Sequence, residues 1–402
     1  DRRSSVMLLD ADSGAILGMG SWPLPPFGAK AWDYVSYAIS NPNKDPMSVA
    51  SWELLDIHNT PGSTWKTLLA LSAAIEAASP GADPRIRRML LGLSPGEFAA
   101  VTGMSSTAGT YMIPGSDSRS ISNHAHHPML NSGPTRDPIC IDPNHPDPEW
   151  RRGEFDKLGA RLAIKQSYNV FFSRLAVLLE EKGVESWIRQ VPQRGGRATI
   201  KADQLPPTRF MLRLKEFGVD WNEPADLAAN VPPPIGLFRM KSTAVFDPLY
   251  ARSPLTHITR GESLLQDNIS VWRVAYYHRI ALNGIGQGWS VSTLHLARGA
   301  ASIASGKAVQ AYVIRSLGGT RLPPPVSPAL KVDADVMREI RLGMKSVPEA
   351  SGSTGVGTFK SQEPRYVLST DLSNRAEKAR ADELRPKIAA IRAASGKGPV
   401  KP

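Results

Sequence analysis

The chain has 402 residues, of which 41% are hydrophobic and 21% charged, so it can bury a sizeable core and is not disordered throughout. A single cysteine, Cys140, excludes an internal disulfide framework and a multi-cysteine zinc site. The formal net charge of +11 indicates an anionic environment, but the basic clusters lack interleaved aromatics, which argues against nucleic acid. No apolar run reaches the roughly 18 residues of a membrane span. Because the chain begins at Asp1 rather than Met, we expect that upstream sequence precedes it.

The opening of the chain predicts a β-hairpin. Apolar runs at 6–9 and 15–17 flank a turn rich in Asp and Ser, in which Gly14 is free to adopt a positive φ. Residues 22–59 show no sustained period and are predicted to form a long connection.

Helix formers fill residues 63–78, and Ser-Pro-Gly at 79–81 ends the segment. It is apolar on nearly every face, which predicts a helix at the centre of the fold. Residues 100–160 are predicted to be largely loop. Further helices are predicted near 158–182, 224–230, 293–305 and 333–345, and a glycine-rich break at 284–288 precedes one of them.

The sequence Pro-Gly-Ser-Thr-Trp-Lys at 61–66 is the strongest candidate for chemistry. Ser63 stands at a helix start, where unpaired N–H groups and the helix dipole favour developing negative charge. Lys66 returns to the same face one turn later, and burial in an apolar helix would disfavour its ammonium form. The lysine could then accept the serine proton as a neutral amine. The alternative is that Ser63 only caps the helix, because Ser-x-x-Lys is a short pattern that occurs by chance.

A second candidate lies in Lys-Gln-Ser-Tyr-Asn-Val-Phe-Phe at 165–172. Ser167 and Asn169 are polar residues among apolar neighbours, so we expect them to face a specific partner. A hydroxyl at this position could relay a proton, and an amide could hold a carbonyl or the lysine. The alternative is a turn between two helices, with Asn169 as a cap.

The two patterns, in this order, resemble the transpeptidase domain of penicillin-binding proteins, a family that carries a Ser-x-x-Lys signature. Residues 6–23 are similar to the family's opening hairpin, and residues 284–306 to its Gly-Gln-Gly helix. Residues 343–358 are similar to the helix and Gly-Thr loop that precede the family's third motif. The resemblance runs in order from about residue 5 to residue 360.

The resemblance implies an α/β fold in which an antiparallel sheet is flanked by helices, with an all-helical subdomain over roughly 80–290. Residues 1–372 would form the transpeptidase-like domain. Residues 373–402, with eight Lys/Arg and three Asp/Glu, would form a basic tail or an altered end.

The resemblance also implies a mechanism. Ser63 would attack the carbonyl of the D-Ala-D-Ala end of a peptidoglycan stem peptide, and a second strand's amine would resolve the acyl-enzyme into a cross-link. Lys66 would act as the base, Ser167 as a proton relay, and Asn169 would hold the substrate amide and orient the lysine. The backbone N–H of Ser63 would supply one oxyanion donor. The weaker substrate-binding candidates are Gly286, Gln287, Gly357 and Thr358.

The same resemblance implies no cofactor and no metal ion. β-Lactams would acylate the nucleophilic serine as inhibitors, and a membrane-bound glycosyltransferase would be a partner. The domain would work on the outer face of the cytoplasmic membrane or in the periplasm, anchored by sequence upstream of this chain.

The chain departs from the family at its third motif, because no Lys-Thr-Gly is found on an edge strand. Strand-like residues 365–370 lack it, and residues 353–355 read Ser-Thr-Gly. This departure leaves open a catalytically impaired scaffold or partner-binding module of a cell-wall synthesis complex. A β-lactamase is a third possibility.

Two other patterns are weaker candidates for a metal site or a catalytic site. His124, His126 and His127 could ligate a metal, but no carboxylate has suitable spacing, so a polar loop is favoured. Asp56 and His58 could form a Ser-His-Asp arrangement with Ser63, but Lys66 is a base at a more suitable spacing from Ser63.

Overall fold

The computed structural model describes residues 4–22, 61–104, 110–122, 157–190, 209–219, 230–231, 269–287 and 291–349. Within these ranges the chain is helix-rich and carries small antiparallel sheets, which confirms the predicted mixed α/β class. The strands are β1 (Ser4–Leu9), β2 (Ile16–Trp22), β3 (Thr110–Met112), β4 (Ser120–Ser122), β5 (Ser316–Leu317) and β6 (Thr320–Arg321). The helices are α1 (Trp65–Ala77), α2 (Pro84–Leu91), α3 (Pro95–Thr102), α4 (Ala160–Gln166), α5 (Asn169–Gln190), α6 (Arg209–Glu216), α7 (Ile269–Gly284), α8 (Thr293–Ser305) and α9 (Ala334–Glu349).

Helix α1 lies at the centre of the described fold, as its all-round apolar sequence predicts. Every one of its residues except Thr67 and Ala77 is buried, and α2 and α4 to α9 all pack on it. Each large apolar side chain buried in this way contributes roughly 1.5–3 kcal/mol. The helix ends at Ala77, ahead of a turn in which Gly81 has a φ of +72°. The segment that carries the Ser-x-x-Lys pattern is therefore held by most of the surrounding core.

The predicted opening hairpin is confirmed. Strands β1 and β2 pair antiparallel, with a register shift between Leu8 and Leu9, and Gly14 in the turn has a φ of +79°. A side chain at Gly14 would meet the Gln310 carbonyl oxygen at 2.0 Å, so the glycine is also needed for close approach. The hairpin thereby docks on the segment after α8, where the Tyr312 amide donates to the Gly14 carbonyl at 3.0 Å.

The helical segment predicted near 158–182 forms two helices, separated by the turn that is the alternative interpretation of residues 165–172. Helix α4 ends at Gln166, and α5 begins at Asn169. Between them Ser167 takes a left-handed conformation, with φ 53° and ψ 44°, and no α-helix continues through such a residue. The break between the helices therefore falls at the polar residues that interrupt the apolar sequence.

The prediction that residues 100–160 are loop is wrong in part. Residues 110–122 contain the β3–β4 hairpin, which packs on α5 through Tyr111 and Ile121. Strands of three residues are too short to show a period in the sequence. Helices α2, α3, α6 and α7 were not predicted individually, but they fall within the predicted all-helical subdomain over roughly 80–290, in which the β3–β4 hairpin is the described element that is not helical. Helices α8 and α9 confirm the helices predicted at 293–305 and 333–345. Residues 224–229 of the helix predicted at 224–230, and everything after 349, lie outside the described residues.

Among the described helices, none is both long enough and apolar enough to cross a lipid bilayer.

Candidate active site

The candidate site forms where the start of α1 meets the start of α5. Ser63 lies in a single 3₁₀ turn, Gly62–Thr64, that leads directly into α1 and leaves Ser63 exposed. Two features shape this turn: Gly62 has a φ of +53°, and the Thr64 hydroxyl donates to the Pro61 carbonyl at 2.6 Å. The hydroxyl of Ser63 is thus presented to solvent at a helix start, where backbone N–H groups lack helical partners.

Lys66 is buried, with 2% of its surface exposed, and its Nζ contacts polar groups from both helices. Nζ lies 3.1 Å from Ser63 Oγ and 2.9 Å from Ser167 Oγ. It lies 2.6 Å from both the Ser167 carbonyl oxygen and Asn169 Oδ1. The structure therefore brings together Ser63, Lys66, Ser167 and Asn169, the residues that the sequence singled out.

The chemistry of these partners suits a neutral amine. The carbonyl oxygen of Ser167 and the amide oxygen of Asn169 only accept hydrogen bonds, so they take the two protons of a neutral –NH₂. The remaining neighbours are the hydroxyls of Ser63 and Ser167, one of which can donate to the single lone pair of the nitrogen. Desolvation lowers the pKa of Lys66 from its ordinary value of 10.5 to about 7. The lysine is thus able to take a proton from Ser63 near neutral pH.

Ser167 reaches Lys66 with both its backbone and its side chain because of its left-handed conformation. Among the residues that the structure describes, Ser167 is the one residue other than glycine that has a positive φ. A left-handed serine costs on the order of 1 kcal/mol or more, and such residues cluster at functional sites.

Asn169 is fixed in orientation by the β3–β4 hairpin. Its Nδ2 donates to the Ser122 carbonyl oxygen at 3.1 Å, so its Oδ1 must face Lys66. Sequence reasoning missed Ser122, and no signal could have revealed it, because the contact uses a backbone oxygen of a residue 47 positions away.

Gly286, a predicted substrate-binding residue, is buried against the turn that carries Ser63. A side chain at Gly286 would meet the Gly62 carbonyl oxygen at 2.0 Å and Trp65 Cβ at 2.8 Å. Its neighbour Gln287 is exposed. Gly357 and Thr358, the other predicted substrate-binding residues, lie outside the described residues.

No group of three or more potential metal-ligating side chains occurs within the described ranges. The histidines near 124–127 and the residues Asp56 and His58 fall outside those ranges.

Comparison with known proteins gives one family match. A family model described as the penicillin binding protein transpeptidase domain matches residues 262–369, a range that includes Gly286 but not the residues around Lys66. No curated protein matches the chain.

Several solved structures are similar to the chain. Penicillin-binding protein A from Mycobacterium tuberculosis is 17% identical, with 86% of this chain and 56% of that chain covered and a TM-score of 0.47. The D,D-transpeptidase domain of a peptidoglycan glycosyltransferase from Eggerthella lenta is 18% identical, with 87% and 62% covered and a TM-score of 0.44. PBP2 from Pseudomonas aeruginosa is 14% identical, with 90% and 58% covered and a TM-score of 0.49. The chain spans a little over half the length of these structures.

Proposed function

We propose that this chain is a serine acyltransferase acting on peptidoglycan stem peptides, with Ser63 as its nucleophile, and the match of residues 262–369 to the model of the penicillin binding protein transpeptidase domain supports this proposal. One observation supports the proposal above all: a buried lysine of lowered pKa touches Ser63, Ser167 and Asn169 at once. An exposed hydroxyl beside a buried neutral amine is the arrangement that activates a serine.

In the acylation step, Ser63 Oγ gives its proton to Lys66 Nζ and bonds to the carbonyl carbon of the penultimate D-Ala. Negative charge develops on the carbonyl oxygen, and the backbone N–H of Ser63 stabilises it at the helix start. The C–N bond to the terminal D-Ala then breaks. Its amine nitrogen takes a proton from Ser167 Oγ, which Lys66 replenishes across 2.9 Å.

In the second step, the amine of another stem peptide attacks the acyl carbon and gives up a proton to the lysine. The bond from the acyl carbon to Ser63 Oγ breaks, the lysine returns the proton to Ser63 Oγ, and the new amide is the cross-link. Asn169 would hold the amide of the acyl donor with the remaining proton of its Nδ2, since the other is donated to Ser122. A β-lactam would acylate Ser63 in the same way and leave the opened ring attached.

The cellular setting belongs to the same proposal. We place the domain outside the cytoplasmic membrane, held by sequence beyond this chain and supplied with glycan strands by a membrane-bound glycosyltransferase. The division into a transpeptidase-like region at 1–372 and a basic tail at 373–402 stays a prediction.

The test is intact-protein mass spectrometry after incubation with benzylpenicillin, in the wild type, Ser63→Ala and Ser118→Ala, where Ser118 is an exposed serine in the turn between β3 and β4. We expect one adduct of the full mass of the antibiotic in the wild type and in Ser118→Ala, and none in Ser63→Ala. An adduct that persists in Ser63→Ala would remove Ser63 as the nucleophile. Folded wild-type protein without any adduct would contradict the catalytic proposal and favour the non-catalytic module.

A second assay separates transpeptidase from carboxypeptidase activity. The unmodified enzyme, with Ser63 free, is supplied with a synthetic stem pentapeptide as acyl donor and an amine acceptor, and the products are resolved by mass. A cross-linked product together with free D-Ala is expected, whereas hydrolysed peptide alone would indicate a carboxypeptidase.

A further inference from the structure

Helix α6 (Arg209–Glu216) lies against the two helices that carry the candidate site. It packs on α1, which contains Lys66, and on α5, which begins at Asn169. None of its residues takes part in the proposed chemistry. Its contacts nevertheless involve the buried carboxylates Glu76 and Glu180, which the mechanism does not use.

Glu76, near the end of α1, binds two arginines of α6. Its Oε1 accepts from Arg209 Nη1 at 2.5 Å, and its Oε2 accepts from Arg213 Nε at 2.8 Å. The two arginines are four residues apart and so share one face of the helix. A buried carboxylate that loses its cationic partners is strongly disfavoured, so α6 is held firmly at this point.

Glu180, on α5, binds the first turn of α6. Its Oε1 accepts from the backbone N–H of Phe210 at 2.8 Å, and its Oε2 accepts from that of Arg209 at 3.0 Å. These amides have no partner inside their own helix, and a carboxylate also interacts favourably with the helix dipole there. Glu76 and Glu180 therefore attach the start of α6 to both α1 and α5.

The start of α6 also contacts the start of α1. The buried ring of Phe210 meets the buried ring of Trp65 edge-on, with centroids 5.9 Å apart and an interplanar angle of 75°. Trp65 stands between Ser63 and Lys66 in the chain, and Glu76 lies about 16 Å further along α1 at a rise of about 1.5 Å per residue. Helix α6 thus holds α1 both at its first residue and near its last.

We propose that α6 stabilises the candidate site and that Phe210 is a positioning residue. It holds Trp65 and the adjoining Ser63 turn in their position relative to Lys66. The inference rests on the proposed function, because it assigns Phe210 a role in serine acylation. Its physical basis is that Ser63 lies in one 3₁₀ turn without a buried residue, and that the residue after this turn, Trp65, is fully buried. If the Trp65 ring loses its support, the distance from Ser63 Oγ to Lys66 Nζ is no longer fixed at 3.1 Å. Misplacement of about 1 Å can slow a reaction by about a hundredfold.

The test compares Phe210→Ala with Phe217→Ala. Phe217 is equally buried but follows the end of α6, two helical turns away from Phe210. Both substitutions remove the same buried ring, so we expect similar losses of melting temperature. Per folded molecule, acylation by benzylpenicillin is expected to slow by about tenfold or more in Phe210→Ala and by less than about threefold in Phe217→Ala.

A second readout does not depend on activity. Amide hydrogen exchange at residues 65–69 is expected to quicken in Phe210→Ala relative to Phe217→Ala at matched stability. Phe210→Leu keeps most of the volume and should recover part of the acylation rate, and it serves if the alanine variant does not fold. Equal exchange and equal acylation in the paired variants would overturn the proposal. A wild type that is not acylated would overturn the proposed function, while the exchange comparison would still decide the role of Phe210.

Discussion

Burial of Lys66 has a consequence for stability that can be measured without a substrate. Desolvation lowers the pKa of Lys66 from 10.5 to about 7 in the folded protein, and unfolding restores the ordinary value. Between these values the unfolded chain binds more protons than the folded one, so the free energy of unfolding increases with pH. Burial of the lysine lowers the free energy of unfolding by its full amount below about pH 7, and this destabilisation disappears as the pH approaches 10.5.

The magnitude follows from the two pKa values. A fall from 10.5 to about 7 corresponds to about 5 kcal/mol of disfavoured protonation, and 2% exposure leaves little solvent screening to reduce it. Raising the pH from 7 to 9 should recover about 2 kcal/mol of this cost, because the folded lysine is then neutral while the unfolded one is still charged.

The assay is urea unfolding at pH 7, 8 and 9 of the wild type, Lys66→Met and Lys345→Met. Methionine keeps an unbranched side chain without the amine, and Lys345 is an exposed lysine on α9 that controls for loss of one positive charge. We expect the wild type to gain about 2 kcal/mol relative to Lys66→Met across this range, and Lys345→Met to follow the wild type. Parallel pH dependence in wild type and Lys66→Met would refute the lowered pKa.

Further expectations concern the neighbours of the site. Gly286→Ala should slow acylation by about tenfold or more because its Cβ would meet the Gly62 carbonyl, whereas Gly81→Ala, at a similar φ but with nothing within 4 Å, should leave the acylation rate unchanged. Asn169→Asp places a carboxylate against the lysine amine, which should raise the lysine pKa and move the acylation pH profile to higher pH; an unmoved profile would contradict the contact. Burial raises the pKa of Glu180 from 4.5 to about 7, so its contribution to stability should be lost as the pH rises from 4.5 to 7. Thermal unfolding of Glu180→Gln should lack this loss, and an unchanged pH dependence would contradict it.

The local features of the site could be predicted from the sequence. Helix formers without breakers placed α1, and the spacing of three residues placed Lys66 beside Ser63, as the 3.1 Å contact shows. Lys66 contacts Ser167 and Asn169, which lie about a hundred positions away in the sequence. No spacing rule predicts this contact, and it was expected only through the resemblance to a family.

The supporting contacts could not be predicted, for distinct physical reasons. The Ser122 carbonyl is a backbone group, so its residue type carries no signal. Nothing in the sequence distinguishes Phe210 from any other apolar core residue, and its contact with Trp65 forms only when α6 packs on α1. Gly286 was expected at the site through the resemblance to a family, but its packing on Gly62 depends on the approach of two turns from distant parts of the chain.

The Ser63–Lys66 pair is tested by the second-order rate constant for acylation by benzylpenicillin, measured from pH 5 to pH 9 by rapid quench and mass spectrometry. A base with a pKa of about 7 predicts a rate that rises with pH, reaches half its maximum near pH 7 and levels off by about pH 9. A rate that is flat across this range, or that still climbs steeply at pH 9 as an ordinary exposed lysine would require, would contradict it.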